Sequence, residues 1–510
     1  MKKDLRKGAI FLFILFTLIG NFGKKSAWSQ SAQSLPPDEF KILQAMHSLS
    51  SHRLLDYVRE LVSDKYGGRL TGTPEYKACA EWVAGLFKSW GLFPGGDNGS
   101  YIQTYPLAYT LVFPGCELIL HLPVGREIIK KYYQYETEFI PGATSASGEI
   151  TAEVVYVGYG ITAPELGYDD YANVEVQGKI VLMEREVPVS PDRDPDLFLK
   201  WRPYSFHQYK LENAFKHGAK GMLYNYGPIC NPNNSYIEGF IYSHVGERVI
   251  NDLFAGTGKN HQDVVRAIEK TLKPQSFKLG KTVTIRNNTQ HFPNGTGENV
   301  IALLLGSDPK LKDEVIILGA HLDHLGRCWE LMPGANDNAS GVAVILGVAE
   351  VMAKWQIKPG RSIMFLLFGS EEQGVYGSEY YLEHPVWPLE KTVCFLNLDG
   401  VGCGDRISVL SGKNFPALWA FIERANNRYI HRIVNPQAFA NLARPRLDAA
   451  RFLWKGIPSL SFSVSGAPSF YHLTKDSLDT ITPEILEDLA QLLFLAILDM
   501  ADEPFLNFKK

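Results

Sequence analysis

The sequence has no basic excess, no CxxC pair, no low-complexity tract and no internal repeat, and each absence removes a class of protein. Lys plus Arg number 51 against 55 Asp plus Glu, a formal net charge of −4. No cationic face is available to hold a phosphate backbone, so nucleic-acid binding is set aside. Six cysteines (Cys79, Cys116, Cys230, Cys328, Cys394, Cys403) lie far apart, which suits neither a Cys-rich zinc site nor a dense disulfide framework and leaves room for one or two bridges. Beyond the N-terminus no segment resembles a membrane span. A chain of 510 residues, 45% hydrophobic, with 45 Gly and 29 Pro spread throughout, is not disordered, collagenous or coiled coil. It has room for about two to four folded domains.

What is present begins with an export leader. Lys2, Lys3, Arg6 and Lys7 precede an apolar run from Ala9 to Ile19, too short to span a bilayer comfortably, and Ala27 and Ser29 give a small-x-small cleavage site. Without residues 1–29, which hold six basic residues and one acid, the chain carries 45 basic and 54 acidic residues, a net charge of −9. An uncleaved anchor is the alternative. On either reading the body of the chain is expected outside the cytoplasm, periplasmic or extracellular once cleaved, where disulfides are permitted. Sequons at Asn98, Asn233, Asn287, Asn294 and Asn338 matter only in a source that glycosylates.

Residues 41–108 read as helix, Gly-rich turn, helix. From about 110 to 290 strand-like runs dominate, among them ITAEVVYVGYGI and GKIVLMEREV, interrupted by one helical run, YKLENAFKHGAK. After Asn299 a βαβ rhythm takes over, which predicts a mixed, mostly parallel α/β sheet flanked by helices. The middle stretch therefore reads as an insertion between two parts of one α/β domain. The expected layout is a signal peptide over 1–29, two parts of one α/β domain over 41–110 and 296–505, and an inserted β-rich domain over 111–290.

Five segments of the last part place ligand-type residues just past predicted strand ends, where open α/β sheets build their sites. These are His321 in HLDH, Asp337 in GANDNASG, Glu371 and Glu372 in FGSEEQG, Asp399 in FLNLD, and His472 in YHLTKDSLD. One alone would be an ordinary cap or turn residue; five at equivalent positions point to a metal centre. Two imidazoles with carboxylates suit zinc without any thiolate. Divided between two ions, they give each a His and a terminal carboxylate, with Asp337 shared.

Glu371 and Glu372 cannot point the same way if the backbone is extended there. The expected division is Glu372 as ligand and Glu371 as general base for a metal-activated water. Asp323 is a candidate to orient His321 through its second ring nitrogen, and Asp476 a candidate for the same role beside His472. The GxGxG run at Gly400, Gly402 and Gly404 reads as a loop passing near the metals, not as a phosphate cradle.

At these residues the chain resembles the dizinc exopeptidase family that includes secreted aminopeptidases, glutamate carboxypeptidase and the transferrin receptor. GAHLDHLG, GANDNASGVA, SEEQGVYGS, NLDGVG and YHLTKDSLD occur in family order, and GRLTGTPEY resembles the family's N-terminal segment. Residues 111 to 290 resemble the protease-associated domain that many members insert. The resemblance implies the zinc exopeptidase, phosphorylase/hydrolase-like fold and two Zn2+ ions, one held by His321 and Asp399, the other by Glu372 and His472. It also implies that Asp337 bridges, that Glu371 is the acid/base, and that the Asp337–Asn338 peptide is cis. One departure is Ala449 after Asp448, where the family commonly has a His.

Expected partners are a peptide or dipeptide substrate, no nucleic acid, and no membrane after cleavage of the leader; monomer and homodimer both fit. An exopeptidase removing N-terminal residues is the leading reading. A carboxypeptidase would need arginines to hold a carboxylate, and Arg444, Arg446 and Arg451 are candidates. A receptor-like homologue without chemistry is disfavoured by retention of all six positions, and a glutaminyl cyclase-like transferase by the insertion. The acidic mature chain favours an amine-bearing substrate.

Overall fold

The computed structural model describes residues 37–438 and 447–508. The leader and its cleavage site, with Arg444 and Arg446, lie outside the described residues. The chain divides into two units, residues 1–43 and 44–510, and the second holds both large sheets.

The fold is mixed α/β, as expected. The main sheet has four adjacent parallel strands at its centre, in the order Ser362–Phe368, Val315–His321, Thr392–Leu398 and Ser459–Ser465. Antiparallel strands extend it at both sides: Thr289–Leu304 and Ile102–Val112 beyond the first, Arg406–Leu410 beyond the last. The continuous apolar runs follow from burial on both faces: every residue of Ser362–Phe368 and Val315–His321 is buried. Helix Ser340–Lys354 is buried from Ser340 to Met352 and packs against helices Ser51–Leu61 and Pro483–Asp502. At the helix interface Gly347 lets Leu54 pack closely, since a Cβ there would meet Leu54 Cδ2 at 2.4 Å and push that side chain aside.

Parallel pairing is what gathers the site. His321 pairs with Phe368, and Ala320 with Leu398, so the three strands end side by side. The last strand residue His321 and the loops that follow, with Glu371, Glu372 and Asp399, thus come to one edge of the sheet.

Between Ile102–Val112 and Thr289–Leu304 the chain builds a second sheet of eight strands from residues 117–287, parallel through Gly148–Tyr156, Ile180–Glu184, Gly221–Asn225 and Ile241–Val245. Apolar clusters cover both its faces. The single helical run expected here is His207–Lys216, but Pro195–Trp201, Glu247–Phe254 and His261–Thr271 are helical too. Their signals are caps and spacing: Asp194 and Asn260 accept the N–H groups of Leu197 and Asp263, and Val249, Ile250, Leu253 and Phe254 form one buried stripe. Among the described residues no helix is long and apolar enough to cross a membrane.

Candidate metal centre

Asp337 stands at the middle of the site, on the turn entering helix Ser340–Lys354, and its two oxygens face opposite partners. Oδ1 lies 3.3 Å from His321 Nε2, which is itself 3.5 Å from Asp399 Oδ1. Oδ2 lies 3.4 Å from His472 Nε2, which is 2.9 Å from Glu372 Oε2. The peptide Asp337–Asn338 is cis. The carboxylate is fixed from behind, because Asp476 accepts the N–H groups of Asn336 and Asp337 at 2.8 and 3.0 Å.

The donor set fits metal ions. Ligand atoms of His321, Asp337 and Asp399 all lie within 4.8 Å of one another, and so do those of His324, Asp337 and Glu372. His472 Nε2 is buried and makes no hydrogen bond, although two carboxylate oxygens surround it. A ring nitrogen set between two carboxylate oxygens is a place that a shared cation fits, and imidazole with carboxylate is a zinc-type set. Carboxylates also gather there: Asp337 and Glu372 are buried with Asp399 beside them, and buried carboxylates are costly unless cations compensate them.

The protein's own groups set the protonation pattern. Burial disfavours charge on Glu372, but His472 and His324 hold its carboxyl at about 2. Burial likewise opposes charge on His321, yet Asp337 and Asp399 raise its pKa well above the usual imidazole range. Glu371 is half-buried and pushed well above the carboxylate range by burial, then by Glu372, Asp448 and Asp399. Burial pushes Asp323 up to about 8 and Asp448 to about 6.

Several expectations need correction. Asp323 does not orient His321 through its carboxylate: Nδ1 of His321 lies 3.1 Å from the Asp323 backbone oxygen and 3.7 Å from Oδ1. The carboxylate instead accepts the N–H groups of Glu371 and Glu372. Asp476 does not orient His472 either, because Nδ1 of His472 donates to the carbonyl of Cys230 at 2.7 Å. The backbone at Glu371 and Glu372 is a turn following Ser370, whose φ is 50°, so the extended alternation does not apply. Arg451, a candidate carboxylate anchor, is engaged by Glu379 through two bonds of 2.6 and 3.0 Å.

Three neighbours escaped sequence reasoning. His324, the second imidazole of HLDH, lies with Nδ1 2.8 Å from Glu372 Oε1. Asp448 is buried near His321 and Asp399. Fully buried Arg69, in the GRLTGTPEY turn, donates to the carbonyls of Leu61, Leu322, Pro333 and Gly334 at 2.8 to 2.9 Å and so ties together the loops bearing His321 and Asp337. Only the HLDH spacing offered a signal, since a second His three residues on is within reach of the same centre.

A cavity of about 140 Å³ opens beside the centre. Glu371, Glu372 and His472 form one wall, and Glu186, His207, Tyr226 and Asn231, from the second sheet's side of the chain, form the other.

Residues 299–497 match the model of Peptidase family M28. The chain is similar to an aminopeptidase of Pseudomonas aeruginosa, 26% identical over 418 residues that cover 79% of this chain and 68% of that protein. It is also similar to aminopeptidase YwaD of Bacillus subtilis, 26% identical over 66% of this chain and 67% of that one. In fold it resembles the aminopeptidase from Aneurinibacillus sp. strain AM-1, with a TM-score of 0.63 at 22% identity over 92% of this chain and 98% of that chain. A second likeness is BSAP, a zinc aminopeptidase from Bacillus subtilis, with a TM-score of 0.59 at 19% identity over 90% and 98%.

Proposed function

The chain belongs to peptidase family M28 and is a metallo-exopeptidase, and from that premise we propose that it is an exported zinc aminopeptidase releasing N-terminal residues from peptides. The observation that carries this reading is the divided carboxylate of Asp337, with a His and a carboxylate at each oxygen. His321 and Asp399 would hold one zinc ion, Glu372 and His472 the other, with Asp337 between them. Zinc so held supplies Lewis-acid polarisation of the scissile carbonyl and makes water acidic enough to attack near neutral pH.

The protein's own residues do the rest. Glu371 lines the cavity without entering the ion-pair set around Asp337, and its carboxyl is shifted upward, the direction a proton carrier near neutral pH requires. It takes the proton of the attacking water and returns it to the departing amine. The concentration of carboxylates around the cavity favours a cationic α-amine, and Arg451 is occupied by Glu379, which favours an aminopeptidase over a carboxypeptidase. Residues 111–290, read as an inserted protease-associated domain, close the cleft opposite the ligands. Residues 1–29 are assigned as its export leader.

The test is hydrolysis of peptides blocked at either end, with and without a chelator. C-amidated peptides should be cleaved, N-acetylated ones spared, and chelation should abolish turnover. Cleavage of N-acetylated but not C-amidated peptides would overturn the aminopeptidase reading, and activity surviving chelation would overturn the metal mechanism.

A further inference from the structure

Three of the six cysteines, distant in sequence, meet in one place. Cys116, Cys230 and Cys328 are buried in a single apolar cluster with Ile140, Leu325 and Met332. The Cys116 thiol is committed locally: it donates to the Phe113 carbonyl and accepts the N–H of Asn288, both at 3.4 Å. Cys328 lies on the short strand that follows the HLDH loop, its thiol 3.5 Å from the carbonyl of Pro141. Interaction with the Cys230 thiol is the largest influence on Cys328, which with burial pushes its pKa well above the thiol range.

Cys230 also touches the metal centre through its backbone. Its carbonyl accepts from His472 Nδ1 at 2.7 Å, and its N–H donates to the His472 carbonyl at 3.3 Å. The same loop is gripped again where Glu136 accepts the N–H and hydroxyl of Thr474 at 2.7 and 2.8 Å, while the Tyr135 hydroxyl donates to the Cys328 carbonyl. Residues 134–141 and 230 thus form a clasp over the loops that carry His472 and Cys328.

We infer that Cys230 and Cys328 are a disulfide site, and that the bond locks this clasp onto the metal centre. The oxidant is a disulfide, either a small-molecule one or that of a thiol oxidoreductase. One cysteine thiolate attacks a sulfur of the oxidant, releasing one thiol; the second thiolate then displaces the other. Two S–H bonds and the oxidant's S–S bond are exchanged for one protein S–S bond and two oxidant S–H bonds, so two electrons and two protons pass to the oxidant. The bond closes a loop of nearly 100 residues, and in the chain-entropy account a cross-link restricts the unfolded chain more the longer the loop it closes. Because it fixes the residue that orients His472, it stabilises the site as well as the fold.

The inference takes from the proposed function only the oxidising compartment. Purified full-length protein is held in a buffer of oxidised and reduced glutathione, quenched in acid, alkylated after denaturation and digested with trypsin without reduction. A linked pair of peptides, residues 221–248 with 328–354, is expected, with Cys79, Cys116, Cys394 and Cys403 alkylated. Alkylation of both Cys230 and Cys328, or a link made through Cys116, would overturn the assignment. Reduction should lower the thermal midpoint by several degrees in the wild type and leave Cys328→Ser unchanged; equal midpoints for oxidised and reduced wild type would overturn the lock. If protein taken directly from its source carries free thiols yet forms the bond in glutathione, export fails and the site stands.

Discussion

His324 Nδ1 lies 2.8 Å from Glu372 Oε1, while the other oxygen of the same carboxylate lies 2.9 Å from His472 Nε2. One imidazole holds the carboxylate from behind and the other faces it across the centre. Groups that orient a metal ligand typically change affinity by about 10- to 100-fold when removed. His324→Ala should therefore weaken zinc binding by about that factor, measured by competition with a chromogenic chelator. His324→Gln, which keeps a donor, should recover part of the loss. Wild-type affinity in both variants would assign His324 to packing alone.

Glu371→Gln separates chemistry from metal binding. The substitution keeps size and removes the proton carrier, and a general base contributes roughly 10²- to 10⁴-fold. The turnover number should fall by at least about 10²-fold, with zinc content by elemental analysis unchanged. Lost zinc would move Glu371 among the ligands, and near-normal turnover would remove it from catalysis.

How much of this was legible in the sequence depends on what kind of group does each job. The residues around Asp337 could be placed because a strand end is a position, and parallel pairing of Val315–His321 with its neighbours turns three such positions into one place. The supports were less visible. His472 is oriented by the carbonyl of Cys230 and His321 by that of Asp323, and a carbonyl leaves no trace in residue identity. Asp323 and Asp476 lie at the centre, but their carboxylates serve backbone N–H groups of the ligand turns and not the two imidazoles. Such turns lack the repeating bonds of helix or sheet, so their donors need side-chain partners.

Arg69 makes that dependence testable. Its guanidinium serves four backbone carbonyls and is fully buried. Each acceptor left buried without a donor costs about 1–3 kcal/mol. Arg69→Met should thus destabilise the protein by about 3 kcal/mol or more in urea unfolding, and should weaken zinc binding because Leu322 and Gly334 flank the ligand loops. Arg69→Lys, with one point charge in place of a fork, should recover little. A loss under 1 kcal/mol for Arg69→Met would mean that the carbonyls find other donors.

Acid should act on Glu350, far along helix Ser340–Lys354 from the centre. Its carboxylate accepts from Arg53 at 3.0 and 3.1 Å, Lys354 at 2.6 Å and Tyr57 at 2.7 Å. Burial works against ionisation, but the bonds from Arg53, Lys354 and Tyr57 bring the pKa down to about 2. A carboxylate depressed in the folded state stabilises fully above its unfolded pKa, about 4.3, and loses that contribution as the pH falls through the folded value. The stability gap between wild type and Glu350→Gln should be constant from pH 7 to about 5 and close between about 4.3 and 2. Zinc release at low pH affects both proteins and cancels in the difference. Arg53 and Lys354 are exposed enough for solvent to screen the pair, so 1 M salt should narrow the gap. A gap that widens as the pH falls would reverse the sign and show that Glu350 is protonated in the folded protein.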